Sequence, residues 1–155
     1  MNSPTPSPTN GEVDRNPLRV LVCDDNAGTN DMLIAVLELA GCDTEAVMDG
    51  MDAVTAARRF RPDVALLDLD LHGPLNGFDI ARALRTEPGL EDTVLIAFSG
   101  HVSNAVRLEA FAAGFDRFIA KPAPPAELLA ALPYIGLPAG AYPRAEPGGS
   151  PQIAV

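Results

Sequence analysis

The chain has 155 residues, 47% of them hydrophobic, and a formal net charge of −10. This length and composition fit one globular domain with an adequate hydrophobic core. The acidic excess argues against direct binding to nucleic acid, and no stretch approaches the ~20 consecutive apolar residues of a membrane span.

The two ends of the chain differ in composition from its middle. Residues 1–17 contain four prolines and residues 133–155 contain five, and glycine, serine and alanine make up much of the rest of these two segments. This composition predicts disordered tails around a folded region at 18–132. The polar start lacks the apolar segment of a secretory signal, so we expect a cytoplasmic protein. Cys23 and Cys42 lack metal-ligand spacing and are expected to be reduced and chemically inactive.

Apolar runs alternate with segments of helical periodicity in the first half of the chain. Strands are predicted at 18–23, 43–47 and 64–68. In the helix after the first strand, apolar residues at helical spacing predict the buried face Met32, Val36, Leu39 and Ala40. In the helix after the second strand, they predict the buried face Ala53, Ala56, Ala57 and Phe60.

The same alternation continues to the end of the predicted domain. A loop at 72–77 leads into a third helix, and strands are predicted at 93–98 and 115–120. The third, fourth and fifth helices are predicted to bury apolar sets: Phe78, Ile80, Ala81 and Leu84; Ala105, Leu108 and Ala112; Leu128, Leu129 and Leu132. Five strand–helix units with short connections predict an open parallel sheet with helices on both faces.

Chemically active side chains follow or end the predicted strands. Asp24 and Asp25 come after the first strand, Asp68 ends the third, Ser99 follows the fourth, and Lys121, the only lysine, follows the fifth. Because parallel strands end along one edge of a sheet, we expect these side chains to converge there. Taken singly, each has an ordinary alternative: a solvated acidic turn, a loop acid, a helix-capping serine or a surface lysine.

Together these residues predict phosphoryl transfer onto a carboxylate. Clustered acids suit a hard divalent ion such as Mg²⁺, and Asp68 is the best candidate for the nucleophile. Gly100 leaves room for a phosphoryl group, whose oxygens the Ser99 hydroxyl and the Lys121 ammonium would contact.

With these residues in place, residues 18–132 resemble the receiver domain of bacterial two-component response regulators. The resemblance implies a flavodoxin-like, doubly wound (βα)5 fold with strand order 2-1-3-4-5. It also implies that Asp24 and Asp25 help to bind Mg²⁺ (or Mn²⁺), that Asp68 accepts the phosphoryl group, and that Ser99 and Lys121 contact it.

Further roles follow from the resemblance alone. It implies a third metal contact through the backbone carbonyl of Asp70 and a cis peptide bond between Lys121 and Pro122. Phe118 matches an aromatic position that turns inward when the hydroxyl engages phosphate, although it could equally be a plain core aromatic. The loop from Asp68 to Gly77 is one residue longer than is usual in the family.

Three residues are expected to tune the loops beside the site: Asp70, His72 and His101. His72 stands where a proline is frequent in the family. Asp70 is a second acid two positions after Asp68, near the path of an attacking water, and is expected to alter the lifetime of the phosphorylated form.

The resemblance implies a sensor histidine kinase or a histidine phosphotransfer protein as the donor. The protein is expected to be a stand-alone phosphoacceptor rather than a turnover enzyme. It is expected to be monomeric or to dimerise on phosphorylation. Its output would be a protein contact through the fourth helix, fifth strand and fifth helix, or onward phosphotransfer.

Two alternatives remain. The run Asp68-Leu69-Asp70 also resembles the DxD motif of haloacid-dehalogenase-type phosphatases. Chain order argues against such an enzyme, because those proteins place the DxD motif before the acidic pair. The second alternative is a receiver-fold binding module that acts without phosphorylation, although all the chemical positions are filled here.

Overall fold

The computed structural model describes residues 17–133, so the predicted tails, apart from Pro17 and Pro133, lie outside the described residues. The strands are β1 (Arg19–Cys23), β2 (Asp43–Val47), β3 (Val64–Asp68), β4 (Val94–Ser99) and β5 (Arg117–Ala120). The helices are α1 (Ala27–Leu39), α2 (Gly50–Phe60), α3 (Gly77–Thr86), α4 (Asn104–Ala113) and α5 (Pro125–Ala131). Within 17–133, no helix combines the length and apolar character needed to cross a bilayer.

The five strands form one parallel sheet in the order β2-β1-β3-β4-β5. This is the flavodoxin-like, doubly wound (βα)5 fold, and the predicted fold class is confirmed. Every residue of β3 and β4 is buried, as expected for central strands covered on both faces. Because all strands run the same way, their carboxyl ends share one edge of the sheet.

Side chains alternate along the strands and build two apolar clusters, one on each face of the sheet. One cluster packs beneath α2, α3 and α4 and includes Leu67 and Ala97. The other packs beneath α1 and α5 and includes Leu66, Ile96 and Phe98. The ends of β1, β3 and β4 are therefore packed on both faces of the sheet, which gives this edge a rigid base.

Two predicted helix faces are wrong. α1 buries Asn30, Leu33 and Leu37, whereas Met32 is 41% exposed and Leu39 is 90% exposed. Apolar residues occupy more than one side of α1, so their spacing does not identify the side that meets the sheet.

In α4 the buried positions are Ala110 and Ala113, and Leu108 is 69% exposed. The alanines are inward because α4 packs closely against α3 and β5, whereas the larger Leu108 faces away from the core.

Gly77 allows α3 to begin directly against the end of β3. A Cβ at this position would lie 2.4 Å from the Asp68 carbonyl oxygen, well inside van der Waals contact. Asn76 caps the helix, with its side chain accepting from the Asp79 N–H while the Asp79 side chain accepts from the Asn76 N–H. This tight junction fixes the backbone of Asp68.

Candidate functional site

The predicted side chains converge at the carboxyl edge of the sheet. The Lys121 Nζ atom lies 2.6 Å from Asp24 Oδ2 and 3.5 Å from Asp68 Oδ2. The backbone N–H of Lys121 also donates a hydrogen bond to the Ser99 backbone carbonyl at 2.8 Å, which connects the end of β5 to the end of β4. Residues distant in sequence therefore form one site.

Three carboxylates form the acidic part of this site. Asp24, Asp25 and Asp68 each present an oxygen within 4.8 Å of the others. Asp24 and Asp68 are buried, whereas the Asp25 side chain is 34% exposed. Oxygen ligands at this spacing, with one partly open to solvent, fit a hard divalent cation that keeps some of its waters.

The backbone of the acidic pair is held by Asn30, a residue that sequence reasoning did not single out. Its Nδ2 donates to the Asp24 carbonyl at 2.9 Å and to the Val47 carbonyl at 3.1 Å, joining the ends of β1 and β2. The Asn26 N–H donates to Asp24 Oδ1 at 2.9 Å. A usable signal was present, because an asparagine within a mostly apolar helix needs buried partners.

Burial and the charge of Lys121 have opposite effects on the pKa of Asp68. Burial raises its pKa, while the hydrogen bond from the Asp70 N–H to Asp68 Oδ1 at 3.0 Å and the charge of Lys121 oppose that rise. For Lys121, burial works against the charged form, but the hydrogen bond to Asp24 and the charge of Asp68 outweigh it, so its pKa is raised. The lysine therefore stays protonated as a counter-ion inside the acidic site.

Ser99 is fully buried, and its hydroxyl is hydrogen-bonded to the Asp70 side chain. Its Oγ donates to Asp70 Oδ2 at 3.1 Å and accepts from the His101 N–H at 3.0 Å. The His101 Nδ1 lies 3.1 Å from the same Asp70 oxygen. The carboxylate of one predicted loop-tuning residue, Asp70, therefore contacts both a second one, His101, and the predicted phosphate-binding hydroxyl of Ser99.

The third loop-tuning residue, His72, pairs with the acidic cluster instead. Its Nδ1 lies 2.8 Å from Asp25 Oδ2. The hydrogen bond lowers the pKa of Asp25 and raises the pKa of His72. The His72 side chain is 92% exposed, so this pair forms the solvent-facing rim of the site.

The remaining predicted residues lie on or after β4 and β5. The Lys121–Pro122 peptide bond adopts the cis form that the family resemblance implies. Phe118 is half-buried, with the Arg107 guanidinium 4.8 Å from its ring centroid. Beside Gly100 there is open space, since no atom of the described residues lies within 4 Å of the position a Cβ would take.

The two cysteines are free thiols outside this chemistry. Burial, supported by the nearby acidic residues, raises the pKa of Cys23 to about 12. Burial raises the pKa of Cys42 to about 11. A thiol with such a pKa is a poor nucleophile near neutral pH.

Comparison with known families matches residues 20–133 to the response regulator receiver domain. The chain belongs to this family. Among curated proteins, this receiver domain is 44% identical over 112 residues to the DNA-binding response regulator MtrA of Mycobacterium tuberculosis, covering 72% of the chain and 47% of MtrA. It is 37% identical over 113 residues to the probable transcriptional regulatory protein TcrX of the same species, covering 71% of the chain and 46% of TcrX. The chain spans about half the length of these relatives.

Solved receiver structures are also similar to this chain. The Vibrio cholerae chemotaxis protein CheY4 has a TM-score of 0.70 and 27% identity, covering 74% of this chain and 94% of CheY4. The receiver domain of the sensor histidine kinase PA1611 from Pseudomonas aeruginosa has a TM-score of 0.67 and 29% identity, covering 72% and 91%. In that second structure a magnesium ion is coordinated in the active-site cleft.

Proposed function

We propose that Asp68 accepts a phosphoryl group from a phosphohistidine on a sensor histidine kinase or a histidine phosphotransfer protein. The observation that carries this proposal is the position of the Asp68 carboxylate, buried at the sheet edge with the acidic pair on one side and the Lys121 ammonium 3.5 Å away. A receiver domain that takes its signal in this way acts as a phosphoacceptor rather than a turnover enzyme, and a cytoplasmic location is part of the same proposal.

The site residues fit a divalent ion as part of this proposal. Asp24, Asp25 and Asp68 would hold Mg²⁺ or Mn²⁺, and the family resemblance suggests the Asp70 backbone carbonyl as a further ligand. When bound, the ion neutralises negative charge on the transferred phosphoryl oxygens. The fit rests on the donors themselves, because three clustered carboxylates opposed by one ammonium and one rim histidine leave excess negative charge.

The transfer is a displacement at phosphorus. A carboxylate oxygen of Asp68 forms the new O–P bond while the P–N bond to the donor histidine breaks, and the imidazole leaves with the electron pair. The Lys121 ammonium neutralises charge on the phosphoryl oxygens as they move toward Asp68. The Ser99 hydroxyl donates to another phosphoryl oxygen once it releases Asp70. Attack by water on phosphorus later restores the carboxylate and inorganic phosphate.

The state of Asp68 would be passed to α4 and β5. The Ser99 hydroxyl accepts from the His101 N–H, so a change of partner at Ser99 reaches the loop that leads into α4. Phe118 on β5 is in ring contact with Arg107 of α4. We propose that the surface formed by α4, β5 and α5 carries the output to a protein partner. The expectation that nucleic acid is not a direct partner stays a prediction, since the relatives named above include a DNA-binding regulator.

The direct test is phosphorylation followed by intact mass. The protein is incubated with Mg²⁺ and acetyl phosphate, beside Asp68→Asn and a control variant, Asp52→Asn, which removes an exposed acid of α2. We expect one added phosphoryl group on wild type and Asp52→Asn and none on Asp68→Asn. An adduct that persists in Asp68→Asn would overturn the assignment. Sustained hydrolysis of p-nitrophenyl phosphate, lost in Asp70→Asn, would favour the phosphatase alternative.

The binding-module alternative needs a separate comparison. Binding of the kinase or output partner is measured for wild type and Asp68→Asn, each with and without acetyl phosphate. We expect the phosphodonor to change binding by wild type alone. Identical binding in all four conditions would favour a module that acts without phosphorylation.

A further inference from the structure

An aromatic ring lies against the one ammonium of the site. The Lys121 Nζ atom is 5.1 Å from the centroid of the Phe98 ring. A cation this close to an aromatic face is attracted by the ring, and more strongly where water is excluded. Phe98 is 3% exposed, and 25% of the Lys121 side chain is exposed, so little water separates the two groups.

The alternation of the sheet explains why the ring is there. Phe98 is the register partner of Asp68 on β3 and of Ile119 on β5, so its side chain lies on the same face as theirs. Lys121 lies just past the end of β5, two residues after Ile119, and its Nζ atom reaches the same region, 3.5 Å from Asp68 Oδ2. Phe98 is therefore the last core residue beneath the site, where the apolar cluster meets the charged groups.

Building on the proposed function, we infer that Phe98 is a positioning residue whose ring face holds the Lys121 ammonium between Asp24 and Asp68. A lysine side chain has four rotatable bonds. A lysine that is exposed to solvent on one side therefore needs contacts on its other sides to hold its ammonium group in one position. The two carboxylates constrain the ammonium from one direction and the ring constrains it from another.

This placement matters for transfer because a preorganised cation stabilises developing charge without moving during the reaction. Loss of the ring face should therefore lower the limiting rate of phosphorylation more than it lowers donor affinity. It should leave binding of Mg²⁺ almost unchanged, since Phe98 supplies no ligand atom.

The position of Lys121 can be read directly, because it is the only lysine in the chain. Selective labelling with ¹³C,¹⁵N-lysine gives one side-chain spin system in the NMR spectrum of the whole protein. We expect its ε-methylene protons to be shifted upfield by the ring current and to show NOEs to the Phe98 ring. In Phe98→Leu these protons should move toward the values of a free lysine. Wild-type ε protons at the free-lysine position, without NOEs to the ring, would overturn the inference.

The kinetic test separates ring electrostatics from packing. Limiting rates with saturating acetyl phosphate and Mg²⁺ are compared for wild type, Phe98→Leu, and a protein carrying 3,5-difluorophenylalanine at position 98. Fluorination weakens the negative ring face with little change in shape. We expect the limiting rate to fall about tenfold in Phe98→Leu, which corresponds to about 1.4 kcal/mol, and severalfold with the fluorinated ring. Isothermal titration should give Mg²⁺ affinities within about twofold of wild type.

The matched control is Ile96→Val, which trims a fully buried residue on the same strand and the same face. It should change neither the lysine resonances nor the limiting rate. An unchanged rate with the fluorinated ring would overturn the inference even if Phe98→Leu fails to fold. If wild type takes up no phosphoryl group, the proposed function fails, while the NMR measurement still decides whether Phe98 positions Lys121.

Discussion

The Lys121 ammonium donates a hydrogen bond to Asp24, with Nζ 2.6 Å from Oδ2, and the Asp24 side chain is only 2% exposed. Asp24 directly follows β1 and Lys121 directly follows β5, so this ion pair joins the ends of two strands that are not neighbours in the sheet. The ion pair is part of the fold as well as part of the site, because removal of Lys121 would leave the buried charge of Asp24 without this partner.

We therefore expect Lys121→Met to lower the free energy of unfolding by ~2 kcal/mol in the absence of divalent ions, since Asp24 would lose its counter-ion. Mg²⁺ should recover much of this loss by neutralising the acidic cluster. Urea unfolding with and without Mg²⁺ measures both effects. Arg82→Met, which breaks an exposed pair with Asp79, is the control and should cost less than ~1 kcal/mol under both conditions. A loss for Lys121→Met no larger than the control would contradict this view.

Asp70 competes with a phosphoryl group for the Ser99 hydroxyl, because Asp70 Oδ2 already accepts from Ser99 Oγ at 3.1 Å. Asp70→Asn removes the charge that strengthens this bond, so Ser99 should be freer to contact the phosphoryl oxygens. We expect the lifetime of the phosphorylated form to lengthen by about threefold to tenfold, equivalent to ~1 kcal/mol. Decay of the intact-mass adduct after removal of the phosphodonor gives the lifetime.

The comparison variant for Asp70 is His101→Ala, which removes the imidazole contact and leaves the bond between Asp70 and Ser99. Its lifetime should stay closer to that of wild type. Equal decay rates for wild type and Asp70→Asn would end the idea that this carboxylate tunes the site.

His72 should titrate at a higher pH than an ordinary histidine, whose pKa is 6.5, because it is hydrogen-bonded to Asp25. The stabilisation from this pair is complete below that ordinary value and is lost as the pH rises through the raised pKa of His72. At the acid end, the pair persists above the ordinary Asp pKa of 3.8 and is lost as the pH falls through the lowered pKa of Asp25.

Ring-proton NMR titration measures this shift, with His101 as the second histidine of the chain. Asp25→Asn should return the pKa of His72 toward 6.5. Addition of Mg²⁺ should act in the same direction, because an ion held by Asp25 draws that carboxylate away from His72. A His72 pKa that is unmoved by Asp25→Asn would show that the contact at the rim does not form in solution.

Arg85 joins the end of α3 to the loops that precede β4 and β5. It donates to the Gly114 carbonyl at 2.7 Å and the Thr93 carbonyl at 2.6 Å, and pairs with Asp116 at 2.7 Å. We expect Arg85→Met to lower the free energy of unfolding by ~3 kcal/mol, because partly buried carbonyls would lose their donors. Arg58→Met, at a site whose side chain is 59% exposed, should cost less than ~1 kcal/mol. Similar midpoints in urea for the two variants would refute this role.

The succession of strands and helices along the chain and the reactive residues at the strand ends could be predicted from the sequence, whereas the strand order in the sheet was implied by the family resemblance. The spacing of apolar residues identifies the strand–helix units, and Gly41 and Pro62 mark the ends of the first two helices. Because the strands are parallel, Asp68 and Lys121 are brought to one edge of the sheet. The inward faces of α1 and α4 could not be predicted in this way. Both helices carry apolar residues on more than one side, and only packing on the sheet selects Leu33 over Met32.

By itself, the sequence determined the alternation of strands and helices and the reactive residues at the strand ends, Asp24, Asp25, Asp68, Ser99 and Lys121, because these are properties of local pattern. The tertiary structure alone decided which group each site residue contacts: Ser99 bonds Asp70, His72 bonds Asp25, and Phe98 lies against Lys121. Those contacts depend on side-chain rotamers and loop paths that are set by packing between segments far apart in the chain, and no local pattern encodes them.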